Sequence, residues 1–321
     1  MQKVAVTDYT FGSLDVEQSI LEPLGCQVVG RQCKTQEELI ALTADADCVI
    51  TQFARVNAAV IGAMAKCRII VRYGIGVDNV DLAAAAARKI PVCNVPDYCI
   101  DEVADHTLAL ILALTRMPVP PWDQIRQGNW RLPVPLAQMR VLKEMAVGLV
   151  AFGRIGREVA RRLLGFKCRV LASDPAVEPG VIREAGCEPV GLEELWAGSD
   201  LISLHCPSTA KTRFLVNQAT IQKMKKGVLL VNASRGDLVQ TDDLIAALES
   251  GQIGGAALDV CYPEPIPKDS PLLRMPNVLI TPHVASASVR AVATLRQSAA
   301  EAVARAVRGE ALLNVVNGVV A

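Results

Sequence analysis

Ala146-Val147-Gly148-Leu149-Val150-Ala151-Phe152-Gly153-Arg154-Ile155-Gly156 is the stretch whose reading decides the fold. A short apolar run gives way to small residues, and a helical run begins near Ile155. A second β-rich run, Val170-Leu171-Ala172-Ser173, then ends on Asp174. Strand, glycine turn, helix, strand and acid, in that order, form a βαβ unit suited to a dinucleotide. The amides at the start of the helix, those of Arg154 and Ile155 among them, and the helix dipole hold a pyrophosphate. Gly153 allows close backbone approach, and Gly156 lets the helix pack on the strand. Asp174 accepts hydrogen bonds from ribose hydroxyls and repels a 2′-phosphate, so NAD is expected rather than NADP. Ala151 stands where the fingerprint usually has its first glycine, and it suits a tight turn only with a negative φ.

Around this unit the chain alternates throughout. Before it, β-rich runs at Lys3–Thr7, Gln27–Val29, Cys48–Thr51, Ile69–Arg72 and Val92–Val95 are separated by helical runs. Those helices are expected over Asp15–Leu24, Thr35–Ala44 (with a Thr35/Glu38 capping box), Asn57–Ala65 and Asp81–Lys89. After it, the series continues through Leu201–His205, Val228–Asn232, Gly255–Asp259 and Val278–Thr281, which makes six strands. The expected fold class is α/β, with two Rossmann-like or flavodoxin-like domains, parallel sheets and a cleft between them. Asp101–Arg116 reads as an apolar helix with acids in its first turn and Arg in its last. Met117–Pro135, rich in Pro and holding Trp122 and Trp130, reads as a loop or arm fit for a partner surface. One long helix is expected from Ser286 to Arg308.

Composition narrows the classes further. The 321 residues suit two domains, and 33 Lys+Arg balance 33 Asp+Glu. That balance removes the basis for non-specific nucleic-acid binding. No apolar run approaches the roughly 20 residues that span a bilayer. The first residues, Met1 to Asp8, read as a strand rather than a signal peptide. Ten cysteines without a Cys-x-x-Cys pair suit reduced thiols in a cytoplasmic protein, not a disulfide framework or zinc site, and no metal is expected.

Three polar residues follow three successive strands: Arg235 in Asn232-Ala233-Ser234-Arg235-Gly236, Glu264 in Asp259-Val260-Cys261-Tyr262-Pro263-Glu264-Pro265, and His283 in Thr281-Pro282-His283. Carboxyl ends of parallel strands are where open α/β sheets bind ligands. An Arg grips a carboxylate bidentately, a His donates a proton as hydride reaches carbon, and a Glu fixes the imidazole tautomer. Singly, each has a duller reading: a loop cap, a solvated turn residue, a satisfied core histidine. Their convergence at strand ends favours catalysis. His106 reads as a packing or hinge residue, and Cys206 and Cys261 lack a neighbouring base that would make a thiolate.

On these motifs the chain resembles the D-isomer-specific 2-hydroxyacid dehydrogenase family along essentially its whole length. The resemblance implies that main-chain amides of Gly74, Ile75 and Gly76, in Val71-Arg72-Tyr73-Gly74-Ile75-Gly76-Val77-Asp78-Asn79-Val80-Asp81, hold the substrate carboxylate, with Gln52 and Phe53 nearby. It implies that Thr107 lies near the nicotinamide, that His205, Cys206, Pro207 and Thr212 line the adenosine side, and that Asp259 bonds the carboxamide. Ala233, Arg235 and His283 complete the cofactor contacts. Arg235, Glu264 and His283 fall on the family's catalytic positions. It further implies a discontinuous substrate domain (1–98 and 286–321), an NAD-binding domain (99–285) and a homodimer formed through the cofactor domain and the 117–135 arm. Within the family, Cys93–Leu110 resembles the C-terminal-binding-protein corepressors. That leaves an NAD(H)-sensing scaffold with vestigial catalysis as one alternative, and phosphoglycerate dehydrogenase as another. Phosphoglycerate-specific relatives carry arginines just after the third strand; here Thr51-Gln52-Phe53-Ala54 stands there, with Arg55 next, and a site lined by Phe53 points to a small non-phosphorylated 2-keto or 2-hydroxy acid such as glyoxylate or hydroxypyruvate. Formate dehydrogenases pair their His with Gln, and Glu264 argues against that reaction.

Overall fold

The computed structural model describes residues 1–319; the last two residues of the expected 286–321 segment lie outside the described residues. The chain divides into two units, Met1–Tyr98 with the segment from Ser288 onward, and Cys99–Ala287.

Unit 1 is built on five parallel strands, β1 (Gln2–Val6), β2 (Cys26–Gly30), β3 (Cys48–Thr51), β4 (Ile69–Arg72) and β5 (Val92–Cys93), in the order β2-β1-β3-β4-β5. This is the flavodoxin-like order. The central strand β3, Cys-Val-Ile-Thr, is buried throughout, as a strand covered on both faces must be. The capping box of helix Gln36–Thr43 forms, with Thr35 Oγ1 accepting from the Glu38 amide at 3.3 Å and Glu38 Oε2 accepting from the Thr35 amide at 3.2 Å. The expected Ser286–Arg308 helix begins later, at Val289, because Ser288 caps it by accepting from the Ala291 amide. Ala291, Leu295, Ala299 and Val303, four residues apart, form its buried stripe.

Unit 2 carries β6 (Ala146–Val150), β7 (Arg169–Ser173), β8 (Glu188–Pro189), β9 (Leu201–Leu204), β10 (Val228–Asn232), β11 (Ile253–Leu258) and β12 (Val278–Ile280). Their order, β12-β11-β10-β9-β6-β7-β8, places β6 at the point where strand order reverses. The six expected strands are present. The seventh, β8, is a two-residue edge strand containing Pro189, too short to leave a periodic signal. The Met117–Pro135 segment is not all loop: Val119–Arg126 is a helix. Pro120 and Pro121 fall in its first turn, where the amides have no intrahelical partner to lose. Among the described residues no helix is long and apolar enough to cross a membrane, and no group of side chains has metal-site geometry. All ten cysteines are free thiols.

Candidate functional site

The glycine turn of unit 2 lies between β6 and the helix Arg154–Gly165. Ala151 there has φ +79°, which overturns the expected negative value. The turn needs a left-handed residue, and an L-alanine supplies it at a cost of roughly 1–2 kcal/mol. The Ala151 amide donates to Ser173 O and the Phe152 amide to Asp174 Oδ2 at 2.8 Å, so Asp174 braces the turn from the end of β7. Its Oδ1 accepts from the Ala176 amide. Each oxygen thus keeps one lone pair, enough for a ribose diol.

The two glycines of the turn differ. A Cβ on Gly156 would lie 2.5 Å from Ala151 O, so helix packing demands glycine there. A Cβ on Gly153 would meet nothing within 4 Å, and its φ of −73° is open to any residue. Neither packing nor backbone explains Gly153. An exposed cradle at a helix N-terminus that a side chain would fill fits the pyrophosphate of NAD.

Around this turn, His205 Nε2 lies 2.9 Å from Ser203 Oγ. Removal from water pushes its imidazole down to about 4, so it is neutral near pH 7. Thr212 Oγ1 donates to Pro207 O at 2.6 Å and closes the 207–212 loop. Thr107 is wholly buried, its hydroxyl donating back to Val103 O at 2.7 Å. Burial pushes the Cys206 and Cys261 thiols up to about 11, so neither is a thiolate.

At the carboxyl ends of β10, β11 and β12, Glu264 Oε1 and His283 Nδ1 are 2.7 Å apart. Partial burial alone would raise the Glu264 carboxyl, but the bond to His283, the Cys261 amide and the Arg235 charge together hold it below the usual range. Arg235 follows a turn locked by Asn232, whose Nδ2 donates to Arg235 O at 2.8 Å and whose Oδ1 accepts from the Ser234 amide. His283 has φ +54°. Asp259, 1% exposed, imposes that conformation: its Oδ1 accepts from Thr281 Oγ1 (2.6 Å) and the Val284 amide, and its Oδ2 from the Ala285 amide. His106, set aside on the sequence, belongs to this cluster, with Nε2 3.1 Å from Thr281 Oγ1 and 3.5 Å from Asp259 Oδ1. Charged and polar residues surround it in the first turns of its helix, so only the tertiary contact marks it.

In unit 1, the Gly74 amide donates to Arg72 O at 2.9 Å, so of the three expected amides it is already committed. Gln52 is buried and tied to Thr10, accepting from its amide (2.8 Å) and donating to its hydroxyl (3.1 Å). Phe53 is 51% exposed and borders a recess of about 320 Å³ at the carboxyl ends of β1, β2 and β3, beside Tyr9, Gln32 and Lys34. Arg72 was missed: its guanidinium packs on the Gly74 Cα and stands 6.0 Å from the Phe53 ring centroid. It ends a parallel strand, but only the fold shows that its guanidinium turns toward Gly74 and Phe53.

Comparisons with known proteins point to one family. Residues 108–285 match the family model for the D-isomer specific 2-hydroxyacid dehydrogenase, NAD binding domain. The chain is 37% identical over 298 residues to a glyoxylate reductase of Korarchaeum cryptofilum, covering 92% of this chain and 87% of that one. It is 36% identical to the D-3-phosphoglycerate dehydrogenase of Homo sapiens over 99% of this chain, which spans only 58% of that relative's length. The structure superposes on a D-lactate dehydrogenase from Aquifex aeolicus, solved with NAD and lactic acid, with a TM-score of 0.86 and 29% identity over 96% of both chains.

Proposed function

This chain belongs to the D-isomer specific 2-hydroxyacid dehydrogenase family, and we propose that it interconverts a small non-phosphorylated D-2-hydroxy acid and its 2-keto acid. NAD-dependent oxidation and reduction of D-2-hydroxy acids comes with the family. The observation that carries it is the 2.7 Å Glu264–His283 contact at the ends of β11 and β12, with the Arg235 charge acting on the same carboxylate.

A bound nicotinamide would supply hydride to the substrate's C2 or accept it from there. His283 gives its proton to the substrate oxygen in the reducing direction and takes it back in the other. With Nδ1 engaged by Glu264, Nε2 is the nitrogen that serves. Glu264 holds the ring in that tautomer and stabilises the imidazolium. Arg235 takes the carboxylate. In unit 1 the Ile75 and Gly76 amides are donors suited to a carboxylate. Gly153, Gly156, Asp174 and the start of the helix after β6 hold the dinucleotide. The exposed Trp122 (59%) and Trp130 (92%) fit the 117–135 arm to a second copy of the chain.

A phosphorylated acid is the second reading, and Arg72 favours it. The guanidinium beside Phe53 adds a cation from β4 to the Arg55 that follows the third strand. Following NADH absorbance over glyoxylate, hydroxypyruvate and its 3-phosphate separates the two. Higher kcat/KM on the unphosphorylated acids is expected, and a preference for the phosphate would overturn the first reading. No oxidation at all, with tight NADH binding, would leave the scaffold alternative. His283→Ala should lower kcat by ~10²–10⁴-fold, the size of a general acid's contribution.

A further inference from the structure

We propose that Asn94, backed by Tyr73 and Glu17, is the positioning device that aims the Ile75 and Gly76 amides at the substrate carboxylate. The inference rests on the reading of that loop as a carboxylate holder.

Both carbonyls that precede those amides are pinned on one side. Gly74 O accepts from the Val95 amide at 3.0 Å, and Ile75 O accepts from Asn94 Nδ2 at 2.6 Å. The peptides here are trans, so each N–H points opposite to its carbonyl. Fixing the two carbonyls toward Val95 and Asn94 therefore turns the N–H groups of Ile75 and Gly76 to the opposite face. Val95 acts through its backbone, which any residue supplies. Asn94 acts through its side chain, so its chemistry is open to substitution.

The loop is also held from beneath. Tyr73, 1% exposed, donates its hydroxyl to Glu17 Oε1 at 2.8 Å. Glu17, wholly buried, takes Arg296 on both oxygens, at 3.0 and 2.7 Å. Arg296 comes from the helix Val289–Arg308 and lies 5.1 Å from the Phe11 ring, which in turn packs edge-on against Tyr73. A buried carboxylate saturated by an arginine and a phenol has one arrangement of low energy, so it holds Tyr73, and with it the start of the loop, in one position.

Donors held in advance bind more tightly than donors that must be ordered at each turnover, so loss of aim appears in substrate binding first. Asn94→Ala is expected to raise KM for the best 2-keto acid about tenfold, with kcat within about twofold and NADH affinity unchanged. A merely structural role would lower the active fraction and hence kcat, leaving KM in place. Asn94→Asp, which keeps the shape but sets an oxygen against Ile75 O, should raise KM further, and it serves as the second variant should the alanine variant fold poorly. Tyr73→Phe should move KM in the same direction by about threefold. An unchanged KM in Asn94→Ala and Asn94→Asp would overturn the proposal while leaving the carboxylate reading intact. The matching 2-keto amide tests that reading separately: without the carboxylate charge, the Asn94→Ala penalty should be clearly smaller on it. An equal penalty on acid and amide would overturn the reading of the loop, and the proposal with it.

Discussion

The two glycine turns reach similar ends by opposite means. In unit 2 the turn Ala151–Gly156 presents amides because a helix starts there, and its conformation is set by Asp174 and by helix packing. In unit 1 the turn Gly74–Gly76 starts no helix. Its amides face one way only because Asn94 and Val95 hold the carbonyls from behind. Gly74 is demanded twice over, by a φ of +145° and by the Arg72 guanidinium against its Cα, whereas Gly153 is demanded by nothing within its own unit. A glycine required by the fold and a glycine required by a ligand look alike in sequence and differ in what surrounds them.

Substitution separates the two kinds most widely. Gly74→Ala should cost roughly 2–5 kcal/mol, combining left-handed strain with displacement of Arg72, read as an earlier urea transition of unit 1. Gly153→Ala should leave stability unaltered within about 0.5 kcal/mol and weaken NADH binding in a fluorescence titration. Equal destabilisation by both would erase the distinction. Acid should next strike the units unequally. Unit 1 contains no histidine, and His205 of unit 2 has a folded value of about 4 against an ordinary 6.5. Protonation therefore favours the unfolded chain, so the stabilisation is complete above about pH 6.5 and is lost as pH falls toward 4. It amounts to about 3 kcal/mol. Urea titrations at pH 7 and pH 4.5 should show unit 2 losing stability more steeply, and His205→Gln should flatten that difference. A slope untouched by the substitution would refute it. The smallest effect is a gain: Ala151→Gly should stabilise unit 2 by about 1 kcal/mol, raising its Tm by roughly 2–4 °C. No gain would mean the turn is held left-handed without strain.

Much of this was legible in the sequence because it is periodic or local. The strand and helix alternation, the glycine turn with its acid and the Thr35/Glu38 capping box all depend on neighbours within a few residues. The helix at Val119–Arg126 escaped because prolines mark a break in general but are tolerated in a first turn. β8 escaped because two residues carry no period. In the site, Arg235, Glu264 and His283 could be named from strand ends, yet nothing in the string revealed Asp259 as the residue that fixes His283, or His106 as its neighbour.

Taken alone, the order of residues determined the α/β alternation, the dinucleotide turn and the kinds of side chain that end each strand, since these follow from spacing and propensity. Tertiary structure alone decided the left-handed Ala151, the buried Glu17–Arg296–Tyr73 cluster, the Arg72 guanidinium beside Phe53 and the carbonyls pinned by Asn94 and Val95. The reason is physical: each depends on groups brought together by packing from distant parts of the chain, where distance in sequence carries no information about direction in space.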